Sequence, residues 1–418
     1  MSAVGFSVMK WARENGRPTP PNAETNPDNH SRHSAKSGSA NKTADRSASG
    51  GKTYNRTKLI VSLFGAVLLF AFVLVVVATG YSRDIAVFAS SLSASQYVAL
   101  LIFTGILGIM EMVVSFPLKV YSGFYLEHKY NLSNQSLLQW LWEHAKAVLV
   151  GIPLVIPLLL IFFYCLEEYG VAWWFPVGVV MFVFTTLLAR VAPKFIFPLF
   201  YKFVPLSRAD LQDRIAKLCT EAGFRVEGVF SFNMSKNTKK ANAGFTGLGK
   251  TKRVILGDTL LEKFSDDEIE TVLAHELGHH RFGHIWKGIL INTIVTFVGL
   301  FVTSRLYVAS LALFGFERID DLAALPLLGL WLGIFGFVTA PLMNMISRKH
   351  EYEADQYAVR KSENPSAFIG ALNKLADTNL ADATSNPVVE FLFYSHPSIE
   401  KRIKRAEEEL RDHAVVNA

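Results

Sequence analysis

The string His275-Glu276-Leu277-Gly278-His279 is the part of this sequence best able to do chemistry. On a helix, histidines at i and i+4 share a face one turn apart, so both imidazoles can bind a single metal ion. The glutamate between them can reach a water beside that ion and act as general base. A catalytic site on two histidines needs a third protein ligand and an open position. The segment Ser347-Arg-Lys-His-Glu-Tyr-Glu-Ala-Asp355 offers Glu351. A Glu followed four residues later by Asp puts one carboxylate on the metal and leaves Asp355 to orient a histidine through its free ring nitrogen. Glu353 is a rival ligand that projects from a different face, and the three acids also have a plainer reading as a solvated surface balancing Arg348 and Lys349. His280 lies off the ligand face and His284 beyond it. The cofactor implied is one Zn2+ per chain, held by His275, His279 and Glu351, with Glu276 as base.

The elements that must position these groups follow from capping and hydropathy. Ser265 followed by Asp266, Asp267 and Glu268 reads as a capping box opening a helix that runs through the mid-280s. Around it, Leu211, Ile215 and Leu218 sit at helical spacing, and Arg225–Phe232 and Lys252–Leu256 read as short strands. Half of the chain is hydrophobic and only 19% is charged, which argues against a purely aqueous protein. Leu59–Gly80, Ala147–Leu166, Val171–Ala189 and Leu322–Ile346 carry no charge and approach the ~20 residues a bilayer requires. Tyr97–Leu118 is similar but contains Glu111, a candidate functional group or a polar side chain facing a wet cavity. Gly288–Ser304 is shorter and continues through Arg305. Six spans with both termini in the cytoplasm agree with the distribution of Lys and Arg at the run ends.

The organisation expected is therefore a basic disordered tail (1–57), four transmembrane helices (58–193), a cytoplasmic part with the paired-histidine helix (194–287), two further spans (288–346) and a cytoplasmic helical part with the third ligand (347–418). Up to Lys58 there are ten Lys and Arg against four acids, a balance of +6, so the rest of the chain is near neutral. A nucleic-acid surface on the fold is excluded. The two cysteines exclude a disulfide scaffold and a cysteine-based zinc ribbon. With His279 and Glu351 each a few residues from an apolar run, the metal sits within roughly 15 Å of the membrane face, which favours substrates that are themselves membrane-bound.

From about Tyr97 to Arg411 the chain resembles the type I CAAX prenyl endopeptidases, integral-membrane zinc metalloproteases. The likeness is carried by Tyr121-Ser-Gly-Phe-Tyr-Leu-Glu-His-Lys-Tyr130, Pro198-Leu-Phe-Tyr-Lys-Phe-Val-Pro205, Asn242-Ala-Gly-Phe245, Arg253-Val-Ile-Leu256, the His275 string, Glu351 to Asp355, and His396-Pro-Ser-Ile-Glu-Lys-Arg402. The resemblance implies a mostly α, polytopic helical membrane protein whose spans enclose a chamber, with a small α/β zincin-like domain on the cytoplasmic side. It implies zinc ligands at His275, His279 and Glu351, the base at Glu276, and Asp355 paired with a ligand histidine. It further implies that His396 and Arg402 stabilise the tetrahedral intermediate and hold the site together, and that Asn242 and Ala243 lie on an edge strand that pairs with substrate. Family members have seven spans where six are counted here, and Gly244 stands where eukaryotic members carry an aromatic residue.

The function expected is a membrane-embedded zinc endopeptidase acting on membrane-associated proteins, with removal of the last three residues of prenylated CAAX proteins implied by the resemblance. Quality-control cleavage of damaged membrane proteins, as in the heat-shock membrane metalloproteases, is the alternative. A membrane chaperone with structural zinc is a third, against which Glu276 argues. The expected location is a bacterial plasma membrane, or the endoplasmic reticulum if the chain is eukaryotic.

Overall fold

A computed structural model describes residues 33–247 and 252–416. Helices α1 (His33–Ala78), α2 (Tyr81–Leu92) and α3 (Gln96–Val120) lead the chain, and α3 passes through a π-helical turn at Tyr121–Tyr125 into α4 (Leu126–Lys129). Next come α5 (Leu137–Tyr169), α6 (Trp174–Phe195), the single turn α7 (Phe197–Phe200) and strand β1 (Phe203–Pro205). The mixed part follows: α8 (Ala209–Glu221), β2 (Val229–Phe232), β3 (Ala243–Thr246), β4 (Arg253–Gly257), α9 (Asp258–Lys263) and α10 (Asp266–Arg281). Then α11 (His284–Leu311) and α12 (Leu325–Lys361) return through the apolar region, and α13 (Ala367–Asn379), α14 (Pro387–Phe393) and α15 (Ile399–Val416) close the chain.

Six helical stretches are long and apolar enough to cross a bilayer: Gly50–Ala78, Gln96–Lys129, Leu137–Ala172, Trp174–Phe195, His284–Phe314 and Leu322–Lys361. They coincide with the six apolar runs, and residues such as Phe64, Val67, Val113 and Phe337 point outward from them, as lipid-facing side chains do. Two cores lie at opposite ends. One joins α8, the sheet, α10, α13 and α15 through Leu211, Ile215, Leu256, Leu273 and Phe368. The other gathers Phe103, Phe163, Trp173, Tyr307 and Leu327. Tyr307 lies 23 residues along α11 from its start, roughly 35 Å away at helical rise. Between the cores is a cavity of about 850 Å³, lined among others by Thr104, Glu111, Asn292, Thr296 and Thr339. Glu111 thus faces the cavity, where it pairs with Lys119 at 3.3 Å.

The tail expected to be disordered through residue 57 is corrected over its last part. Residues 1–32 lie outside the described residues, but α1 starts at His33. Tyr54 is buried, its hydroxyl donating to Glu127 Oε1 at 2.6 Å, and Lys58 reaches the same oxygen at 2.7 Å. Composition could not reveal this, because the partner that orders the segment lies some seventy residues away.

The sheet runs β1-β2-β4-β3, with β2 and β4 parallel and the other pairs antiparallel. β2 is the second half of the expected Arg225–Phe232, and β4 matches the expected Lys252–Leu256 to within one residue. β1, three residues long, is too short for alternation to mark it, and β3 lies where the resemblance implied an edge strand at Asn242 and Ala243. The Ser265 capping box forms as expected, with Ser265 Oγ accepting from Glu268 N–H at 3.3 Å and Glu268 Oε2 accepting from Ser265 N–H at 2.8 Å. The helix ends earlier than expected, at Arg281. Gly283 takes a left-handed φ of 67°, and α11 restarts at once with His284.

The contact that matters most for function is between α10 and α12. A Cβ on Gly278 would lie 2.9 Å from Ala354 Cα and 3.1 Å from Tyr357 Cβ. The obstacle is backbone and cannot rotate away. Gly278→Ala should therefore lower the unfolding midpoint in detergent. Its overpacking cost of about 1–3 kcal/mol opposes a helix-propensity gain of about 1 kcal/mol. Gly105→Ala, where a Cβ meets nothing within 4 Å, should leave the midpoint unchanged or raise it.

Candidate metal centre

Three side chains from two helices converge. His275 and His279 leave α10 on one face, with their Nε2 atoms 3.2 Å apart. Glu351 leaves α12 and presents Oε2 at 3.6 Å from His275 Nε2 and Oε1 at 3.4 Å from His279 Nε2. One donor atom from each of the three lies within 4.8 Å of the others, the one such group of three or more His, Cys, Asp or Glu among the described residues. Asp355 Oδ1 lies 2.7 Å from His275 Nδ1. A carboxylate there accepts a hydrogen bond from Nδ1–H, so the ring proton stays on Nδ1 and Nε2 keeps its lone pair. Ring lone pairs and a carboxylate facing one buried point form a donor set for a cation, and two histidines with one glutamate is a donor set of catalytic zinc. The residues fit a divalent metal.

Electrostatics around the point are tightly paired. Arg402, from α15, grips Asp355 in a fork, Nη2 to Oδ1 at 2.6 Å and Nε to Oδ2 at 2.8 Å, and its Nη1 stands 3.7 Å from Glu351 Oε2. Burial disfavours the charge on Arg402, but Asp355 outweighs it and raises the guanidinium pKa. Burial likewise opposes a charged His275, and the Asp355 hydrogen bond and charge hold its pKa above the ordinary value. Glu276 is partly buried; desolvation pushes its carboxyl up, against the pull of His275 and His279.

The remaining residues singled out in the sequence fall around this point at different distances. Ala243 opens β3 and pairs with Leu256, and Asn242 just before it accepts a hydrogen bond from Gly257 N–H at 2.9 Å. A Cβ on Gly244 would come 3.8 Å from Glu276 Oε2, so β3 passes directly beside the glutamate. Among the described residues β3 pairs with β4 alone. His396 is more exposed, with Nε2 3.4 Å from Glu351 Oε1. It borders a cleft of about 380 Å³ that Asn379, Asp382 and Arg402 also line. Glu353 turns away from the centre, as its helical face requires. His280 packs against Phe245 with ring centroids 5.0 Å apart, and burial lowers its pKa to about 4. It is a neutral filler.

Sequence reasoning missed three contributors. Gly278 lets α10 approach α12, and its signal is a glycine in the histidine string matched by a small residue, Ala354, in the Glu351 segment. Phe368 stacks on the His275 ring at 6.5 Å. Asn379 clamps the backbone before β3, accepting from Ala241 N–H at 2.8 Å and donating to its carbonyl at 3.1 Å. Neither has a signal in local sequence, since both act across long separations.

Comparison with known proteins agrees with this architecture. The profile of peptidase family M48 matches residues 205–410. A profile described as the CAAX prenyl protease N-terminal region, with five membrane helices, matches residues 36–202. An uncharacterized metalloprotease of Bacillus subtilis is 30% identical over 360 residues, 85% of this chain and 84% of that protein. CAAX prenyl protease 1 of Saccharomyces cerevisiae is 30% identical over 381 residues, 84% of each chain. The crystal structure of S. mikatae Ste24p superposes with a TM-score of 0.78 at 28% identity, covering 87% of this chain and 89% of that one. The paired-histidine helix, the six spans and these matches lead to one conclusion: the chain belongs to peptidase family M48, on the CAAX prenyl protease side of it, and is a multi-pass membrane metalloendopeptidase.

Proposed function

We propose that the chain is a zinc endopeptidase that cleaves membrane-tethered polypeptides at the cytoplasmic face of a bacterial plasma membrane, and that it can release the C-terminal tripeptide of prenylated CAAX-type sequences. One observation carries the reading: His275, His279 and Glu351 converge beside Glu276 and the unpaired side of β3, at the ends of two apolar helices. Lys129, Lys146, Lys194 and Lys349 cluster toward the same ends of the spans, which supports the cytoplasmic side. The CAAX assignment draws on the similarity to the yeast protease.

The roles follow from the geometry. An extended substrate adds to β3 as a further strand, so backbone hydrogen bonds from Ala243 to Thr246 set its register with little regard to side chains. Asn242 stands at the entrance to that strand. Gly244 leaves the space over Glu276 open. His275, His279 and Glu351 would hold a zinc ion, which would supply Lewis acidity at the scissile carbonyl. Glu276 takes a proton from the water that attacks the carbonyl and passes it to the amine that leaves as the C–N bond breaks. His396 Nε2 lies 3.4 Å from Glu351 Oε1 and Arg402 Nη1 lies 3.7 Å from Oε2, and the two offer hydrogen-bond donors where the oxyanion develops. Asp355 keeps His275 in the tautomer that leaves Nε2 free.

Detergent-purified protein should release the tripeptide from a farnesylated CAAX peptide, and a zinc chelator should abolish release. Glu276→Gln should retain metal while losing about 10²–10⁴-fold in rate. Cleavage of a misfolded membrane protein with no tripeptide release would instead support the quality-control reading. His396→Ala should lower kcat by about 10²-fold with metal content unchanged. An unchanged kcat would remove His396 from the oxyanion role.

A further inference from the structure

His284 is a buried histidine that the proposed mechanism leaves unused. Its Nδ1 lies 3.0 Å from Nδ1 of His279, and its Nε2 lies 2.8 Å from Glu353 Oε2. The ring of His350 stacks on it at 4.0 Å, with 11° between planes. His284, His350 and Glu353 do not form a second group of converging metal donors. His284 and Glu353 form a hydrogen-bonded chain leading away from His279, with the His350 ring stacked beside it.

Proton placement along that chain is constrained. Glu353 is a carboxylate and accepts, so His284 Nε2 must donate and its Nδ1 holds a lone pair. That lone pair accepts from His279, which puts the His279 proton on Nδ1 and leaves its Nε2 bare toward His275 and Glu351. The reverse arrangement sets two acceptors face to face at 2.8 Å and places a proton on the nitrogen that faces the metal point. We propose that Glu353 and His284 form a positioning relay that fixes the ring orientation and tautomer of His279 for metal binding. The two histidines of the centre are then held in different ways: His275 by the carboxylate of Asp355 directly, His279 by a carboxylate acting through a second imidazole. Neither Glu353 nor His284 touches the reacting atoms.

The inference rests on His279 being a ligand, and the test separates the two claims. Zinc affinity of the full-length, detergent-solubilised chain is measured by competition with a chromophoric chelator, without substrate, for the wild type, His279→Ala, Glu353→Leu, His284→Phe and the double variant. His279→Ala should lose stoichiometric zinc, and retention there would overturn the ligand set itself. Glu353→Leu and His284→Phe should each raise the zinc Kd by about 10–100-fold. Glu353→Gln, whose amide oxygen still accepts from His284, should recover most of the loss. The double variant should bind no more weakly than His284→Phe, because both substitutions cut one chain. Glu353 is partly exposed, so Glu353→Leu reports even if His284→Phe fails to fold. Wild-type Kd in Glu353→Leu, or additive losses in the double variant, would overturn the relay.

Discussion

The near-contact of α10 with α12 at Gly278 and Ala354 is the constraint on which the rest of this protein depends. Metal–ligand bonds to nitrogen and oxygen are about 2.0–2.2 Å long, so donors on separate helices must be brought within a few ångströms of one point. Helices separated by ordinary side chains pack with axes about 8–10 Å apart. Gly278 stands between His275 and His279, and Ala354 between Glu351 and Asp355. The residues that permit the approach therefore lie inside the same short segments that supply the donors. A larger side chain at either place separates the donors even if every donor is retained.

Close approach alone would bury charge at a steep cost. His275, Glu351 and Asp355 are each more than nine-tenths buried, and an isolated buried carboxylate costs several kcal/mol. The cost is offset by pairing: Arg402 against Asp355, Asp355 against His275, and Glu351 facing both histidines. Buried ion pairs of this kind contribute little net stability compared with apolar packing. Their value here is positional. Arg402 comes from the last helix, so the C-terminal segment is tied to the centre by charge as well as by the core of α13 and α15.

A similar clamp joins the membrane part to the substrate side. Glu127, at the end of the second span, accepts from Tyr54 and Lys58 of α1, and its other oxygen lies 2.9 Å from Lys240 Nζ. Lys240 precedes Asn242 by two residues. On the same segment, Lys239 N–H donates to the Leu132 carbonyl at 3.0 Å, and Asn379 holds Ala241. Apolar spans in lipid gain little from hydrophobic burial against one another, so polar contacts of this sort carry much of the register between spans and peptidase part. The approach to β3 is held by α1, α13 and the Leu132 loop at once.

What could be read from the sequence was local or repetitive. Six apolar runs announced six spans because a bilayer imposes a length on each. The Ser265 capping box marked the start of α10 because its hydrogen bonds close within three residues, and i, i+4 periodicity put His275 and His279 on one face. Glu351 was preferred to Glu353 by the same helical arithmetic. Tertiary structure decided whatever depends on contacts between distant segments. These are the ordering of residues 33–57 as part of α1, the passage of β3 beside Glu276, the grip of Arg402 on Asp355, and the contact of His284 with Glu353. Even within α10, periodicity could not foresee the break at Gly283 that turns His284 back toward His279. Propensity and spacing act over a few residues, whereas burial and charge pairing act through space, and only the folded chain settles which groups meet.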